Sequence, residues 1–424
     1  MIFTGFECYN EVALKERANV QSGLSTVDQS DPTMNKKNTS AIQRSYKFRV
    51  YPNSTQRTKL AECFGVSRWA YNQGLDAIGF AYRTQGQRFT GIDCSRAVTE
   101  LAREDDYQWI NNAPRTVVTN ALRNLDTAFK NFFSGRAKYP RFKKKLNKQT
   151  VTFQLDQRQN NWLSGRMLKL PGVGEIKVKW SRIPQGRPKI ATVTRTEADK
   201  YFVSLSIAEP VELLPKTGEV CGVDAGCRSV VSTQDWQSGN PKYTAKYARE
   251  LKLAQRHLAR KTKGSKRWHH QRVKVARIHE RISNSRKDFL HKVSSYIVKS
   301  HDTIAIQELN VAGMMRNKKL AKTIADASMS ELHRQLEYKS QWYGREFIKV
   351  SRWQKTSGVC TGCGEVSDIG SAEEWRCGCG KEHNRDKASA EIIYRVGIAG
   401  ESAITGVDRI TCGGQGELDL AVAV

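Results

Sequence analysis

Apolar and polar positions first fall into register at Arg44. Residues 45–51 alternate, with Tyr46, Phe48 and Val50 set against Lys47 and Arg49, the period-two signature of an edge or barrel strand. Pro52-Asn53-Ser54 breaks the pattern. Ser54 can cap a helix over 55–64 that Gly65 ends. Further helices are predicted over 67–84, 93–103 and 114–133, so residues 44–133 read as one strand and a helical bundle. Residues 150–210 return to period two, with short strands at 150–155, 167–170, 174–178, 190–196 and 201–207. Strands must find partners, so these and the Tyr46 strand predict one small barrel interrupted by the helical insert. Residues 209–216, with Pro210 and Pro215, read as a linker. Beyond it, 219–233 reads strand, tight turn, strand. Residues 244–300 form two long helices about Gly264-Ser265, 303–307 a β-branched strand, 330–344 a helix, 347–350 a strand and 386–396 a helix. Residues 1–43 lack pattern and predict a disordered leader, or an upstream extension if translation starts at Met34. The C-terminal end is a polar, glycine-rich tail, and no internal repeat is present.

Charge changes this picture most. The 424 residues hold 70 Lys and Arg against 42 Asp and Glu, a formal +28. Such an excess speaks of partners rather than fold, and nucleic acid is the natural polyanion. A plain basic protein of the ribosomal or chromatin kind would share the charge but leaves the acids discussed below unexplained. The excess is concentrated. Residues 244–300 carry seventeen Lys/Arg and three acids, and 135–148 carry seven and none. Within the second stretch Arg136, Lys138, Arg141, Lys143, Lys144 and Lys145 are interleaved with Tyr139 and Phe142, which fits either a solvated tail or a loop gripping a nucleic-acid backbone. No apolar run approaches a membrane span, and the N-terminal residues lack the basic region followed by an apolar core that a signal peptide would show. Ten scattered and clustered cysteines in a chain of this size argue for a reducing compartment, the cytoplasm, rather than a disulfide framework.

Three carboxylates stand in similar settings. Asp224 follows the apolar run 220–223, Glu308 closes 303–307, and Asp386 opens a helix. Cleavage of a phosphodiester by two metal ions needs acidic oxygens converging on a spot roughly 4 Å across, and Mg²⁺ prefers such ligands while leaving positions for water and phosphate. Gly226 permits close backbone approach beside Asp224. The set fits a ribonuclease-H-like nuclease, although each acid alone has an ordinary structural reading.

The sequences Gly222-Val223-Asp224-Ala225-Gly226, Ile306-Gln307-Glu308-Leu309-Asn310 and Asn384-Arg385-Asp386-Lys387-Ala388 resemble the three RuvC motifs of the transposon-encoded TnpB family, relatives of the compact type V CRISPR effectors. Upstream, segments 46–52, 65–72, 139–143 and 170–178 resemble that family in order, so the resemblance spans about 44–412. It implies a multidomain α+β protein. A wedge β-barrel would span 44–53 and 134–215 and be interrupted by a helical recognition lobe at 54–133. A RuvC nuclease would follow at 216–350 and 384–412, with a zinc-ribbon insert at 351–383 and a tail at 413–424. It implies an RNA-guided DNA endonuclease in which Asp224, Glu308 and Asp386 hold two Mg²⁺ ions. The partners would be a guide RNA and double-stranded target DNA read beside a short adjacent motif, with one protomer per RNA favoured. Lys47, Arg49, Tyr51, Arg68, Tyr71 and Asn72 become candidate nucleic-acid contacts with the basic loop. A cleavage-deficient guided repressor and a DNA transposase are the competing classes.

Cys360-Thr-Gly-Cys363 and Cys377-Gly-Cys379 form two knuckles of a structural zinc site. The second knuckle has one intervening residue where the family pattern has two, and His383 is near enough in sequence to replace a thiolate.

Overall fold

The computed structural model describes residues 41–86, 89–146, 148–155, 162–184, 186–210 and 213–399. Met34, Cys8, Cys412, most of the expected leader, residues 400–412 and the tail lie outside them. The chain divides into two compact units at Pro210–Val211.

The first unit opens on β1, Ala41–Tyr51, three residues before the expected leader ends. This strand is central, not at an edge. It pairs antiparallel with β7 (Tyr201–Pro210) along nearly its whole length and with β5 (Gly174–Lys179) through Arg49–Tyr51. With β2 (Gln149–Gln154), β3 (Leu163–Ser164), β4 (Met167–Leu170) and β6 (Ile190–Arg195), the sheet order is β2-β6-β7-β1-β5-β4-β3. Helix α1 runs unbroken over Ser54–Gln85, against the expected break at Gly65. Leu60, Cys63, Phe64, Val66, Ala70 and Tyr71 are all buried. That continuous apolar stripe outweighs the ~1 kcal/mol that a helical glycine costs. The cap is Asn53, not Ser54. Its side chain accepts from Gln56 N at 2.9 Å while the Gln56 side chain accepts from Asn53 N at 3.0 Å, a reciprocal capping box. Helices α2 (Gly91–Leu101) and α3 (Arg115–Phe133) pack with α1 over the same core as the sheet, where Leu122 and Leu125 join Phe153 and Leu205.

The second unit is built on three parallel strands, β8 (Val220–Val223), β9 (Thr303–Gln307) and β10 (Glu346–Val350), in the order β10-β9-β8. Ile304, Ala305 and Ile306 of the central strand are fully buried, as expected for a parallel sheet covered on both faces. Helices α4 (Tyr243–Lys246), α5 (Ala248–Ala259) and α6 (Lys266–Ser300) follow β8. Helices α7 (Val311–Met314), α8 (Ala321–Ala327) and α9 (Met329–Tyr343) follow β9. Ile304 and Ile306 pack with Leu290 and Ile297 of α6 and Leu332 and Leu336 of α9. Ala305 faces the other way, onto Ile393 and Val396 of the last helix. The end of the expected linker is anchored. Asp302 accepts from the backbone of Thr217 and Gly218 at 2.9 and 2.8 Å and pairs with buried Arg345, which also donates to Pro215 O at 2.9 Å. The second strand expected before Thr233 shrinks to isolated bridges, Asp224 with Ser232 and Ser232 with Gln237.

Lys339 of α9 is buried, and its ammonium donates to His291 O, Ser294 Oγ and Ser295 Oγ at 2.9, 2.7 and 2.8 Å. None of these acceptors is a carboxylate. Burial pushes the amine down from 10.5 to about 8. Between those values the unfolded chain holds more protons than the folded one, so this group makes stability rise with pH across that window. Lys339→Met is expected to flatten that rise and to leave the protein at least as stable at neutral pH. Urea denaturation of both proteins at pH 8 and pH 10 measures it.

Candidate active site

Asp224 follows β8 directly and Glu308 follows β9 directly. The register pairs Val223 with Ile306, so the two acids leave the same, carboxyl-terminal end of neighbouring parallel strands, where open α/β sheets hold their ligands. The backbone of Asp224 exchanges two 2.9 Å hydrogen bonds with Ser232, which fixes the chain's turn away from the sheet. Asp386 is the second residue of α10, Arg385–Ala399, which lies on β8 and β9. The approach is close because Gly222 and Gly397 lack side chains. A Cβ on Gly222 would stand 2.6 Å from Tyr394 N and closer still to the Ala390 carbonyl, and one on Gly397 would stand 2.5 Å from Ala305 Cβ.

The electrostatics tie two of the acids together. Burial pushes Asp224 up to about 7, the Asp386 charge adds to the rise, and Arg385 and the Ala225 N–H oppose it. Asp386 is also raised, by burial first, against Arg385 and Arg228. A buried carboxylate whose ionisation is opposed by a second one nearby forms a donor set that a divalent cation would relieve. Glu308 lines a cleft of about 420 Å³ with His333, Glu337, Phe347, Lys349 and Arg352. His333 was not singled out in the sequence. Its Nε2 is buried without a hydrogen-bond partner, and burial, then Lys349, holds the imidazole's pKa down against the pull of Glu308 and Glu337. The available signal was its i, i+4 spacing to Glu337 on α9.

Among the described residues, Cys360, Cys363, Cys377 and Cys379 form the one set of three or more potential ligands lying within 4.8 Å of one another. The three carboxylates are not drawn that close. The sulfur pairs Cys360–Cys379 and Cys363–Cys377 stand 3.7 and 3.5 Å apart. A tetrahedron with 2.3 Å Zn–S bonds has edges of about 3.8 Å, so the cluster can hold a zinc ion despite its short second knuckle. The hairpin β11 (Glu374–Arg376) and β12 (Glu382–Asn384) carries His383. Its Nε2 lies 3.2 Å from Cys360 Sγ, with the ring against Trp375. The imidazole thus sits beside the cluster as a partner of one sulfur.

In the first unit the basic loop is pinned to the helices. Asn72 Nδ2 donates to Lys143 O at 3.1 Å, and Lys143 N donates to Asn72 Oδ1 at 2.8 Å. Tyr139 packs edge-on against Phe129 and Phe132. Arg68 donates to Gln149 Oε1 at 2.8 Å, and the Gln149 amide holds the Lys144 and Lys145 carbonyls. Lys143 Nζ lies 3.7 Å over the ring of buried Tyr71. Arg68, Tyr71, Asn72 and Lys143 therefore have partners within the unit. Arg136 donates to Ser134 Oγ at 2.9 Å. Lys138, Arg141, Lys144 and Lys145 are exposed. On β1, Lys47 and Arg49 stack on Phe202, and Tyr51 is half exposed. No described helix is long and apolar enough to cross a membrane.

Comparison with known proteins bears on both units. Residues 202–318 match a family described as "Probable transposase", residues 330–393 a "Cas12f1-like, TNB domain", and residues 40–87 a "Helix-turn-helix domain". A "Putative RNA-guided DNA endonuclease" of Streptomyces pristinaespiralis is 35% identical over 371 residues, covering 86% of this chain and 92% of that one. InsQ of Escherichia coli, similarly described, is 27% identical over 357 residues, covering 79% and 87%. The fold resembles the protein in a cryo-EM structure of a Cas12f1-sgRNA-target DNA complex, with a TM-score of 0.52 at 12% identity over 84% of this chain and 99% of that one. These likenesses define the class as the RNA-guided nucleases. Within it, the chain belongs to the TnpB family, as the extent of its match to the Streptomyces relative establishes.

Proposed function

We propose that this protein is an RNA-guided endonuclease that cuts double-stranded DNA beside a short adjacent motif. The observation that carries the reading is the buried Asp224, its pKa raised in part by the Asp386 charge, at the strand ends where Glu308 also emerges. Asp224, Glu308 and Asp386 would hold two Mg²⁺ ions. Bound there, the ions would polarise the scissile phosphate and activate water. The chain's own residues do the rest. The sheet would hold Asp224 and Glu308 just past the ends of two paired strands, α10 would hold Asp386 near Asp224, and Arg385 and Arg228 would keep positive charge beside a polyanionic substrate. The first unit's sheet would form the wedge and its helices the recognition lobe, with the second unit as a RuvC nuclease. A guide RNA supplies sequence by base pairing, while the basic surface grips backbone. The test is to sequence the RNA that copurifies with the protein, reprogram its guide segment, and assay cutting of a matched duplex with and without Mg²⁺. Strand transfer without any RNA would instead favour a transposase.

The four cysteines would hold a structural zinc. The purified protein is expected to contain about one zinc per chain. Cys379→Ser should lose the metal and unfold at a lower temperature, whereas His383→Ala should keep the metal. Atomic absorption and thermal melts distinguish the two.

A further inference from the structure

The loop after β10 presents a tryptophan to solvent for which the fold has no use. Trp353 is 82% exposed, more than any other large apolar side chain among the described residues. A lone exposed apolar residue is ordinary; its mounting is not. Gln354 N closes a turn onto Ser351 O at 3.1 Å, and Trp353 N donates to Ser351 Oγ at 3.3 Å. Gln307, the residue before Glu308, donates its amide to Gln354 O at 2.6 Å and accepts from Thr356 Oγ1 at 3.2 Å. Thr356 in turn accepts from Ser389 Oγ of α10 at 3.1 Å, three residues beyond Asp386. Glu308 N donates to Val350 O at 2.9 Å. The turn is therefore bolted to the strand bearing Glu308 and the helix bearing Asp386. The Arg352 guanidinium lies 4.7 Å over the Trp353 ring, Arg352 also lines the cleft that holds Glu308, and Lys355 is exposed two residues on.

We infer that Trp353 is a stacking platform for an unpaired base of the DNA strand entering the cleft, with Arg352 and Lys355 on the adjoining phosphates. The inference rests on the proposed nuclease reading of Glu308 and Asp386. A flat ring carried on a pinned backbone turn has few bonds left to order on binding, and base–aromatic stacking beside cationic side chains is the usual way single strands are held without regard to sequence. A base pair stacked within a duplex offers no free face to such a ring, whereas a base of a separated strand does. The base it takes is therefore one already separated from its partner beside the scissile phosphate.

The test uses full-length protein with its RNA and a matched duplex in which 2-aminopurine replaces one base at a time around the cut. Asp224→Ala protein keeps the DNA intact during measurement. Wild-type Trp353 should quench the probe at one or two positions near the cut. Trp353→Ala should release that quench, and Trp353→Phe should retain most of it. In cutting assays with Asp224 restored, Trp353→Ala should lose about tenfold in single-turnover rate at limiting DNA, and Trp353→Phe much less. Since the ring is exposed, thermal melts of both variants should match wild type. A quench that does not depend on Trp353 anywhere near the cut, or wild-type cutting by Trp353→Ala, overturns the inference. A Trp353-dependent dimer with no such quench also overturns it. Continued cutting by Asp224→Ala would instead overturn the nuclease assignment, while leaving the Trp353-dependent quench to be read on its own.

Discussion

Asp224→Asn is expected to abolish DNA cutting while raising the stability of the metal-free protein. The carboxylate is held at about 7 by burial and by Asp386, far above the ~3.9 of an unfolded chain. Between those values the folded state binds more protons than the unfolded state. Stability therefore falls as pH rises from about 4 through about 7, and the full penalty stands above that. Asparagine removes the charge at nearly constant shape. At pH 8 without Mg²⁺ the variant should be more stable by about 2 kcal/mol, roughly half the full conversion of the shift, because the carboxylate keeps some contact with solvent. Mg²⁺ should raise the melting temperature of the wild type and leave the variant unmoved, since only a state that binds ligand gains from it. Cutting should fall on the order of 10³-fold or more, beyond the 10–100-fold that follows loss of a residue merely supporting a metal ligand. RNA-guided binding of the target should persist. Calorimetry with and without Mg²⁺, beside gel assays of binding and cutting, reads all of these. Cutting near the wild-type rate would sink the site assignment.

Legibility in the sequence followed the range of the interaction concerned. The strand at Thr303–Gln307 was readable residue for residue, because a buried parallel strand is a short run rich in β-branched residues and needs no knowledge of its neighbours. Gly65 misled because propensity is local, while the stripe from Leu60 to Tyr71 that carries α1 through it is a packing effect. The basic loop reads as surface from its charge alone. Nothing local announces that Asn72 will clasp the Lys143 backbone across 71 residues. The three acids were visible as a type in a setting, yet the Asp224–Asp386 opposition exists only once α10 lies on β8. His333 and Trp353 escaped notice for the same reason, since what marks them is an unpartnered nitrogen in one case and a rigid, exposed mounting in the other. Neither property has a spelling.

Gly222→Ala should damage the site more than its single methyl implies. Its new Cβ would meet main-chain atoms of α10, 2.6 Å from Tyr394 N and nearer to the Ala390 carbonyl. Backbone inside a helix has no rotamer to yield, so the helix itself must retreat by about 1 Å to restore ordinary contact. Overpacking of this kind costs roughly 1–3 kcal/mol, and the variant should melt at a lower temperature. The larger consequence is geometric. Asp386 lies on the same rigid helix, four residues before Ala390, so the retreat carries its carboxylate away from Asp224. A displacement of about 1 Å in a catalytic constellation can cost on the order of 10²-fold in rate. Gly65→Ala is the matched control. Nothing lies within 4 Å of a Cβ built there, and in a helix interior the added methyl should stabilise by up to ~1 kcal/mol. Cutting by the Gly65 variant should stay at the wild-type rate. The Gly222 variant should cut about 10²-fold more slowly even at temperatures where circular dichroism shows it folded, and part of that loss should be regained at high Mg²⁺, because a site pulled apart binds the ion more weakly. Equal rates for the two variants would mean that α10 does not set the distance between Asp386 and Asp224.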